Sequence, residues 1–375
     1  MLSGKESCAW ISLTRAPALG ISALARALEI LESARGILEA SDAARRLAGI
    51  SPAAREFLSD ARAQTTRAEQ AWLEDPHHRV IPFTDPLYPA ALRAAGRRPL
   101  ALYVDGSADA LNDSQLAIVG SRNPTAQGRD TAQEFSEYLA ARGLTILSGL
   151  ASGIDSAAHR GALAAPGTTL AVLGSGVDVV YPTSNRPLAE EIRRQGALIS
   201  AFPLGTPPRR ENFPRRNALI AGLGLGTLVV EAARGSGSLI TARLAAALGR
   251  KVFAIPGSIH SPLSRGCHDL IRRGATLTET AHDILSELNF SAFFAPPPRA
   301  PAGRQAPVQH EFPMDKEPKI LLDALGFDPA DLDALVVRTG LKAEAVSSMM
   351  LILELEGHVQ AAPGGRYSRV VRSRR

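Results

Sequence analysis

The chain of 375 residues lacks several features that mark whole classes of protein. Its only two cysteines, Cys8 and Cys267, exclude a disulfide framework and a four-cysteine zinc site, and we expect both to be reduced and structural. No run of about 20 apolar residues is free of charge, glycine and proline, so no membrane segment is expected. Lys5 and Glu6 stand where a secretion signal needs apolar residues. A cytoplasmic protein with no membrane partner is predicted.

Motifs for nucleotide chemistry are also missing. In "LGSGVDVVYP", Val179 occupies the place of the third glycine of the dinucleotide fingerprint, which disfavours NAD. No G-x-x-x-x-G-K-[ST] occurs, which disfavours a P-loop NTPase. The glycine-rich loops are accompanied by no paired carboxylates, no Ser-His-Asp set and no cluster of metal ligands. We therefore expect no catalytic residue, no metal and no cofactor, and a protein that binds rather than breaks bonds.

Lysine is scarce too, with five among 42 basic residues, so arginine carries most of the positive charge. The composition, 45% hydrophobic and 21% charged, is typical of a globular protein, and the length favours two or three domains. The net charge of +5 is unevenly distributed. Residues 113–287 hold 18 basic and 14 acidic groups, residues 310–362 hold 4 and 10, and residues 363–375 hold five arginines and no acid. These regions are predicted to have different partners.

Four regions follow from composition and periodicity. Residues 1–75 are predicted to form a small helical domain, of the SAM or helix-hairpin-helix type, in which "GISALAR" from Gly20 and "GISPAAR" from Gly49 each place a helix-ending glycine before a capping serine. Residues 76–290 form the main domain, and a Pro/Ala-rich linker spans 291–315. The order of three helices and two short strands in 316–375 resembles a winged helix with a basic tail.

The main domain shows the pattern of a doubly wound α/β fold. Residues 75–112 are punctuated by proline and predict extended structure and one short helix, with His77 and His78 facing solvent. From about residue 114, apolar runs alternate with amphipathic helices, which predicts a parallel sheet that binds ligands beyond the strand C-termini. The predicted strands are "LAIVGS", "LTILSG", "TLAVLGSG", "ALISAF", "GTLVVEAA" and "KVFAIPGS". The predicted helices start near Ala126, Asp155, Asn185, Asn217, Ile240 and Asp269.

Small residues and arginine follow the first of these strands. Gly120, Ser121 and Arg122 can offer backbone N–H groups, a helix dipole and a guanidinium to a phosphate; the alternative is a Gly-Ser turn with a surface arginine. The next strand leads into "LSGLASGIDSAAH", where Asp155 opposes an anion and a purely structural turn is an equally good interpretation.

Two further segments suit a phosphate chain with stackable bases. In "PRRENFPRRN", four arginines enclose Phe213 and face a single acid, Glu211. In "EAARGSGSLITA", two glycines allow backbone N–H groups to converge where a strand enters a helix. The binding residues predicted from the motifs are Gly120, Ser121, Arg122, Arg210, Phe213, Arg215, Arg216, Asn217, Gly235, Ser236, Gly237 and Ser238.

Taken together, "AIVGSRNPTAQG", "LSGLASGIDSAAHRGAL", "AVLGSGVDVVYPTSN", "NFPRRNALIAGL", "EAARGSGSLITARLAAALGRKVFAIPGS" and "GCHDLIRRGATL" resemble the DprA (Smf) family over residues 80–290. The resemblance implies an extended Rossmann domain that binds single-stranded DNA, forms homodimers and helps load RecA, without catalytic turnover. It assigns phosphate binding to the G-S-R motif and a base contact to Phe213, with Arg210 where lysine is common. Ala218 stands where the family often has arginine, and we expect Arg215 or Arg216 to compensate.

Two alternatives remain. Glu231 in "GLGTLVVEAA" loosely matches a catalytic carboxylate of Rossmann-type nucleotide phosphoribohydrolases, although it can equally cap a helix or pair with Arg234. The winged helix suggests duplex reading, but its longest helix has one lysine and three glutamates, and a helix that reads a groove should be basic. A protein-facing or autoregulatory role is predicted for this acidic domain, so deleting residues 310–375 should leave most single-strand affinity intact.

Overall fold

The computed structural model describes residues 3–60, 63, 65–94, 98–290, 317–326, 329–362 and 364–370. The linker predicted at 291–315 and most of the basic tail, residues 371–375, lie outside these ranges.

The described residues of the N-terminal region include six short helices. They are α1 (Gly4–Arg15), α2 (Ile21–Leu31), α3 (Ala34–Glu39), α4 (Asp42–Leu47), α5 (Pro52–Ser59) and α6 (Arg67–Glu74). Hydroxyl side chains begin five of them, because Ser3, Ser33, Ser41, Ser51 and Thr66 each accept an N–H from the first turn. Each of these caps satisfies an N–H group of a first turn, so the chain can start a new helix after each short connection.

The main domain contains a sheet of nine strands among the described residues. In chain order it comprises β1 (His78–Pro82), α7 (Ala90–Arg93), β2 (Ala101–Gly106), β3 (Gln115–Val119), α8 (Ala126–Ala140), β4 (Thr145–Ser148), α9 (Ile154–Ala164), β5 (Thr169–Leu173), α10 (Arg186–Gln195), β6 (Ala197–Ser200), α11 (Asn212–Leu223), β7 (Gly226–Val229), α12 (Ser238–Ala247), β8 (Lys251–Ala254), α13 (Arg265–Arg272), β9 (Thr276–Leu277) and α14 (Ala281–Glu287). The strand order is β1-β2-β6-β5-β4-β3-β7-β8-β9.

The six strands predicted from the sequence are β3 to β8, and all of them pair in parallel with one another. Their residues are buried, apart from the first two of β8, as expected for strands covered by helices on both faces. The strands β1 and β2 add an antiparallel edge beside β6. The predicted α/β class, a mostly parallel doubly wound sheet of the extended Rossmann type with a winged helix appended, is confirmed.

One predicted helix start differs from the structure in a way that matters for the site. Helix α11 begins at Asn212, five residues before the predicted start at Asn217. The second half of the arginine-rich motif, residues 212–217, is therefore part of the helix, and Arg209 and Arg210 lie in the turn before it. Phe213 and Arg216 are separated by three residues, and Phe213 and Asn217 by four, so all three share one face of α11.

The N-terminal helices pack on the antiparallel edge of the sheet and share one continuous apolar core with it. Trp10 on α1 meets Phe83 edge to face, with ring centroids 5.9 Å apart. Thr14 Oγ1 and the Tyr103 hydroxyl form a hydrogen bond of 2.6 Å. Both aromatic partners of α1 belong to the β1–β2 region, so the first helices close that edge of the main domain.

His77 is exposed as predicted, but the prediction that His78 faces solvent was wrong. Its ring stacks on Trp72 at 4.4 Å, and its Nε2 lies 3.2 Å from Asp105 Oδ1. Burial lowers the pKa of His78, but the hydrogen bonds with Asp105 and with the Trp72 carbonyl outweigh it, so the pKa is raised. Because Asp105 is distant from His78 in the sequence, no local pattern indicated this pair.

The C-terminal region has its own apolar core. It contains α15 (Glu317–Leu325), β10 (Ala330–Asp331), α16 (Leu332–Thr339), α17 (Ala343–Leu355), β11 (Val359–Ala362) and β12 (Arg366–Arg369). The strands form a small sheet in the order β10-β12-β11. Helix α15 lies against α8 of the main domain, and Arg338 Nε is 3.4 Å from Asp130 Oδ2.

Among the described residues no helix is both long and apolar enough to cross a membrane. Neither cysteine is in a disulfide. Cys267 is buried against β7, and burial raises the pKa of its thiol to about 12, which keeps the thiol protonated and structural.

Candidate nucleic-acid interface

The G-S-R motif lies in the turn between β3 and α8, at the carboxyl edge of the sheet. A side chain at Gly120 would come within 2.6 Å of Ile154 and 2.9 Å of the Glu231 carbonyl oxygen, so only glycine fits there. The Ser121 hydroxyl accepts the Asn123 N–H, and the Ser121 carbonyl accepts the N–H of Ile154. The turn is thereby fixed, and the exposed Arg122 projects from it.

Phe213 lies beside this turn, close to two arginines. The Arg122 guanidinium carbon is 5.5 Å from the centroid of the Phe213 ring, and that of Arg216 is 5.9 Å from it. Gly174, after β5, leaves room for the ring, since an added Cβ would lie 3.1 Å from it. A half-buried aromatic ring close to two cations is well suited to stack on a base next to a phosphate.

Arg216 is itself almost wholly buried, with 6% of its surface exposed. Its Nη1 donates to the carbonyl oxygens of Gly149 and Val172, and its Nε donates to Asn217 Oδ1 at 3.1 Å. Any side chain at Gly149 would overlap the guanidinium. Burial lowers the pKa of Arg216, and nearby Asp155 opposes this shift. Arg216 thus joins α11 to the ends of β4 and β5 beneath the ring.

The loop after β4 supports the site rather than offering an anion pocket. Asp155 accepts the N–H groups of Gly149 and Ala151 and occupies the start of α9, and burial raises its pKa. Gly153 has φ of +84°, and a Cβ there would meet the Ser121 carbonyl oxygen at 2.4 Å. Leu150 also adopts a left-handed φ of 58°, which is strained for a non-glycine residue. The structural interpretation of this loop is the better one.

The loop before α12 differs from the expected backbone nest. Neither Gly235 nor Gly237 has a positive φ, and the N–H of Ser236 is bonded to Ala233 within the loop. The hydroxyls of Ser236 and Ser238 are 2.6 Å apart, and the Asn217 side chain donates to the Gly237 carbonyl at 3.3 Å. The loop therefore presents hydroxyl groups and the start of α12, rather than converging N–H groups.

These segments enclose a groove with a volume of about 420 Å³, hereafter the central groove. Nine predicted site residues line it: Gly120, Arg122, Arg210, Phe213, Arg216, Asn217, Ser236, Gly237 and Ser238. The structure does not bring Ser121, Arg215 and Gly235 into its lining. Arg215 is exposed elsewhere on α11, and its binding role stays a prediction, as do those of the residues in the groove.

Sequence reasoning missed one aromatic residue. Tyr181 is 47% exposed, and its ring centroid is 6.1 Å from that of Phe213. The two rings line a small extension of the groove with Arg122 and Ser152. The only signal in the sequence is a tyrosine in the loop after a predicted strand, "VDVVYP", at the sheet edge where ligands bind.

Glu231 has a structural task. Its carboxylate accepts the backbone N–H of Thr125 at 2.9 Å and the Thr125 hydroxyl at 2.7 Å, and so stabilises the start of α8. Gly128 must lack a side chain because a Cβ would collide with this carboxylate. Arg234 pairs with Asp269 instead. Both oxygens of the candidate catalytic carboxylate are thus occupied within the fold, and the described residues contain no metal-binding cluster of His, Cys, Asp and Glu.

Comparison with known proteins agrees with this geometry. Residues 79–289 match the family described as DNA recombination-mediator protein A, and residues 295–365 match the DprA winged helix domain. The chain is 43% identical over 319 residues to Protein Smf of Escherichia coli, covering 83% of each protein. The chain belongs to the DNA recombination-mediator protein A family. The DNA processing protein DprA of Streptococcus pneumoniae is 44% identical over 206 residues, which cover 55% of this chain and 73% of that protein.

Two solved structures of DprA proteins share the fold. The X-ray structure of DprA from Streptococcus pneumoniae has a TM-score of 0.64 and 34% identity, and the match covers 76% of this chain and 99% of the other. DprA from Helicobacter pylori, whose structure is described in terms of a unique mode of binding single-stranded DNA, has a TM-score of 0.52 and 27% identity, with 57% and 98% covered.

Proposed function

We propose that this DprA-family chain binds single-stranded DNA in the central groove, with little preference for sequence. The position of Phe213, close to the guanidinium groups of Arg122 and Arg216 at the carboxyl edge of the sheet, is the observation that carries the proposal. The arginines neutralise the phosphate chain, and the ring offers a surface on which any base can stack.

The two exposed arginines and the buried one have different tasks in this proposal. Arg122 and Arg210 are exposed and line the groove, so they contact phosphates directly. Arg216 already donates to two carbonyl oxygens, so it positions Phe213 and contributes charge from below. Tyr181 extends the stacking surface beyond Phe213.

The decisive experiment substitutes Arg122→Ala and Phe213→Ala and measures affinity for a short oligothymidylate by fluorescence anisotropy across a salt series. Loss of a stacking ring costs about 1 to 3 kcal/mol, so we expect Phe213→Ala to weaken binding by about 5- to 150-fold. Arg122→Ala should weaken binding and reduce the slope of log affinity against log salt by about 0.7, the value for one phosphate of a single strand.

The chain offers a matched control. Tyr138 on α8 is 40% exposed, and the Arg142 guanidinium carbon lies 3.3 Å from its ring centroid, but neither residue lines the central groove. Tyr138→Ala and Arg142→Ala therefore remove the same kinds of group from another surface. Equal effects of the two pairs, or unchanged affinity in both groove variants, would contradict the proposal.

We propose further that the protein acts in the cytoplasm as a homodimer that protects incoming strands and helps load RecA. The β8–β9 end of the sheet is the candidate surface for this dimer, where Leu248 at the end of α12 and Leu277 on β9 are 41% and 45% exposed. Replacing both leucines with aspartate should yield monomers in analytical ultracentrifugation. Monomeric wild-type protein at micromolar concentration would reject this part of the proposal.

RecA loading has its own test. Formation of RecA filaments on strands covered by single-strand binding protein should be faster with the wild-type chain than without it. Arg122→Ala should lose this acceleration in proportion to its loss of DNA affinity. A variant that binds no DNA yet still accelerates loading would contradict the proposal that RecA loading depends on DNA binding by this chain.

The enzyme alternative gains no support from the geometry around Glu231, whose carboxylate is bonded to Thr125. Incubation with nucleoside monophosphates provides its test. Release of free base by the wild type but not by Glu231→Gln would favour it over the mediator role.

A further inference from the structure

A second and larger cavity lies between the main domain and the C-terminal region. Its volume is about 740 Å³, against about 420 Å³ for the central groove. The main domain contributes the loops after β3 and β4 and parts of α8 and α9, and the C-terminal region contributes α15, the end of α16 and the end of β12. We call this cavity the interdomain crevice.

Positive charge dominates the lining of the interdomain crevice. Five arginines face it: Arg122, Arg129, Arg160, Arg338 and Arg369. Asp323 is the acidic residue among the lining groups, and Asp130 nearby is paired with Arg338. Arg160 is exposed, and its side chain makes no hydrogen bond or ion pair within the ranges that the structure describes. A large cavity with this excess of guanidinium groups suits a polyanion.

The crevice and the central groove meet at a shared residue. Arg122 lines both cavities, and Ser152 lines the crevice together with the small extension that holds Tyr181 and Phe213. Loops at the carboxyl edge of the sheet thus form one wall that runs from the ring of Phe213 to the C-terminal region. A strand bound to Arg122 in the groove has a direct continuation into the crevice.

We propose that the interdomain crevice is a second stretch of the single-strand path, in which Arg160 and the arginines of the C-terminal region bind phosphates of a longer oligonucleotide. The inference rests on the proposed function, because it extends a strand already held by Arg122. It assigns to the winged helix a contact with single-stranded nucleic acid that its net charge conceals.

The positive charge on the side facing the crevice explains how a domain with a net negative charge can contact a nucleic acid. Residues 310–362 carry 4 basic and 10 acidic groups, yet Arg338 faces the crevice, and Arg369 at the end of β12 does so as well. The acidic residues Glu344, Glu354 and Glu356 of the α17 region do not line it. The expectation that deletion of residues 310–375 spares binding then applies to short strands only.

A length series tests the inference. Affinity of the full chain for oligothymidylates of 6, 12, 18 and 24 nucleotides is measured by anisotropy for the wild type and for Arg160→Ala. We expect both proteins to bind the 6-mer within twofold of each other. For the 24-mer, Arg160→Ala should bind at least threefold more weakly, with a salt slope reduced by about 0.7, and Arg160→Lys should recover most of the affinity.

The control is Arg194→Ala, which removes an exposed arginine of α10 outside both cavities and should leave the whole series unchanged. An equal effect of Arg160→Ala on the 6-mer and the 24-mer, or no effect on either, overturns the crevice path while the proposed function stands. Absence of wild-type binding at every length would instead reject the proposed function itself.

Photocrosslinking gives an independent readout. A 24-mer with 4-thiothymidine near one end should crosslink to peptides within 317–370, and the 6-mer should crosslink only to the main domain. Competition by a nucleoside triphosphate against the 24-mer, with no crosslink to 317–370, would show a free-nucleotide site and overturn the strand path.

Discussion

The two regions attached to the sheet of this DprA-family chain are joined to it in opposite ways. The N-terminal helices share one apolar core with β1 and β2, through contacts such as Trp10 with Phe83. The C-terminal region has a separate core and meets the main domain through α15 and a pair between Arg338 and Asp130. The first region is part of the folding unit, and the second is a docked neighbour.

The two kinds of attachment predict different contributions to the stability of the main domain. A buried apolar contact couples two elements strongly, because exposing it costs transfer and cavity free energy. An ion pair with exposed members contributes little and is weakened by salt. The N-terminal helices are therefore expected to stabilise the sheet that carries the groove, and the C-terminal region is expected to contribute to the interdomain crevice without stabilising that sheet.

The largest predicted effect comes from disrupting the apolar core that the N-terminal helices share with β1 and β2. Trp10→Ala removes a side chain that is 1% exposed, and such changes cost about 3 to 5 kcal/mol. We expect the main domain to lose that stability as one unit in urea denaturation followed by circular dichroism. Leu47→Ala, at a site that is 82% exposed, should change stability by less than about 0.5 kcal/mol. Unfolding of α1–α6 alone would refute the shared core.

The matching change in the C-terminal core should stay local. Leu335→Ala empties a fully buried position and should destabilise that region by about 2 to 5 kcal/mol. Limited proteolysis should then cleave within 317–370 and leave the main domain intact. Affinity for a 6-mer should not change. A loss of main-domain stability comparable to that of Trp10→Ala would erase the distinction between the two regions.

Much of the main domain could be predicted because the information is local. Strands β3 to β8 are apolar runs bounded by small residues, and their parallel pairing follows from alternation with helices. The serine after Gly49 caps α5 as expected, and Gly49 ends α4 with φ of +82°. The equivalent prediction at Gly20 was wrong, since that glycine is extended and itself precedes α2, which leaves Ser22 inside the helix.

Most residues that line the central groove could be predicted from the sequence, but the way in which the fold brings them together could not. The charge and the ring of the α11 motif were visible, but burial of Arg216 under Phe213 depends on carbonyl groups 44 and 67 residues away. Tyr181 was missed because only folding brings its loop to Phe213. The interdomain crevice combines segments separated by about 200 residues of sequence, so no local pattern could indicate it.

A smaller effect is expected at the contact between the main domain and the C-terminal region. Asp130→Ala removes the partner of Arg338, a pair in which Asp130 is 52% exposed, and should cost no more than about 1 kcal/mol of docking free energy. Small-angle scattering should show a larger radius of gyration for the variant than for the wild type at low salt. The difference should shrink in high salt, which weakens the ion pair of the wild type as well. Glu137→Ala on the same helix is the control. An unchanged radius would mean that α15 alone holds the region in place.

The smallest predicted effect is on the pH dependence of stability, through His78 at the contact between α6 and the β1–β2 edge. His78 binds Asp105, which is also 3.5 Å from Arg193, and its pKa is raised in the folded chain. A raised histidine pKa means that the charged pair stabilises the fold fully below the unfolded value of about 6.5 and ceases to do so as the pH rises through the folded value. His78→Gln should thus lower the free energy of unfolding by up to about 1 kcal/mol at pH 5.5 and by less at pH 9. Stacking on Trp72 also strengthens when the imidazole is protonated, so the difference between the two pH values reports both contacts of the charged His78. His77→Gln, at the exposed neighbouring position, should show no such difference, and a loss for His78→Gln that grows with pH would reverse the assigned sign.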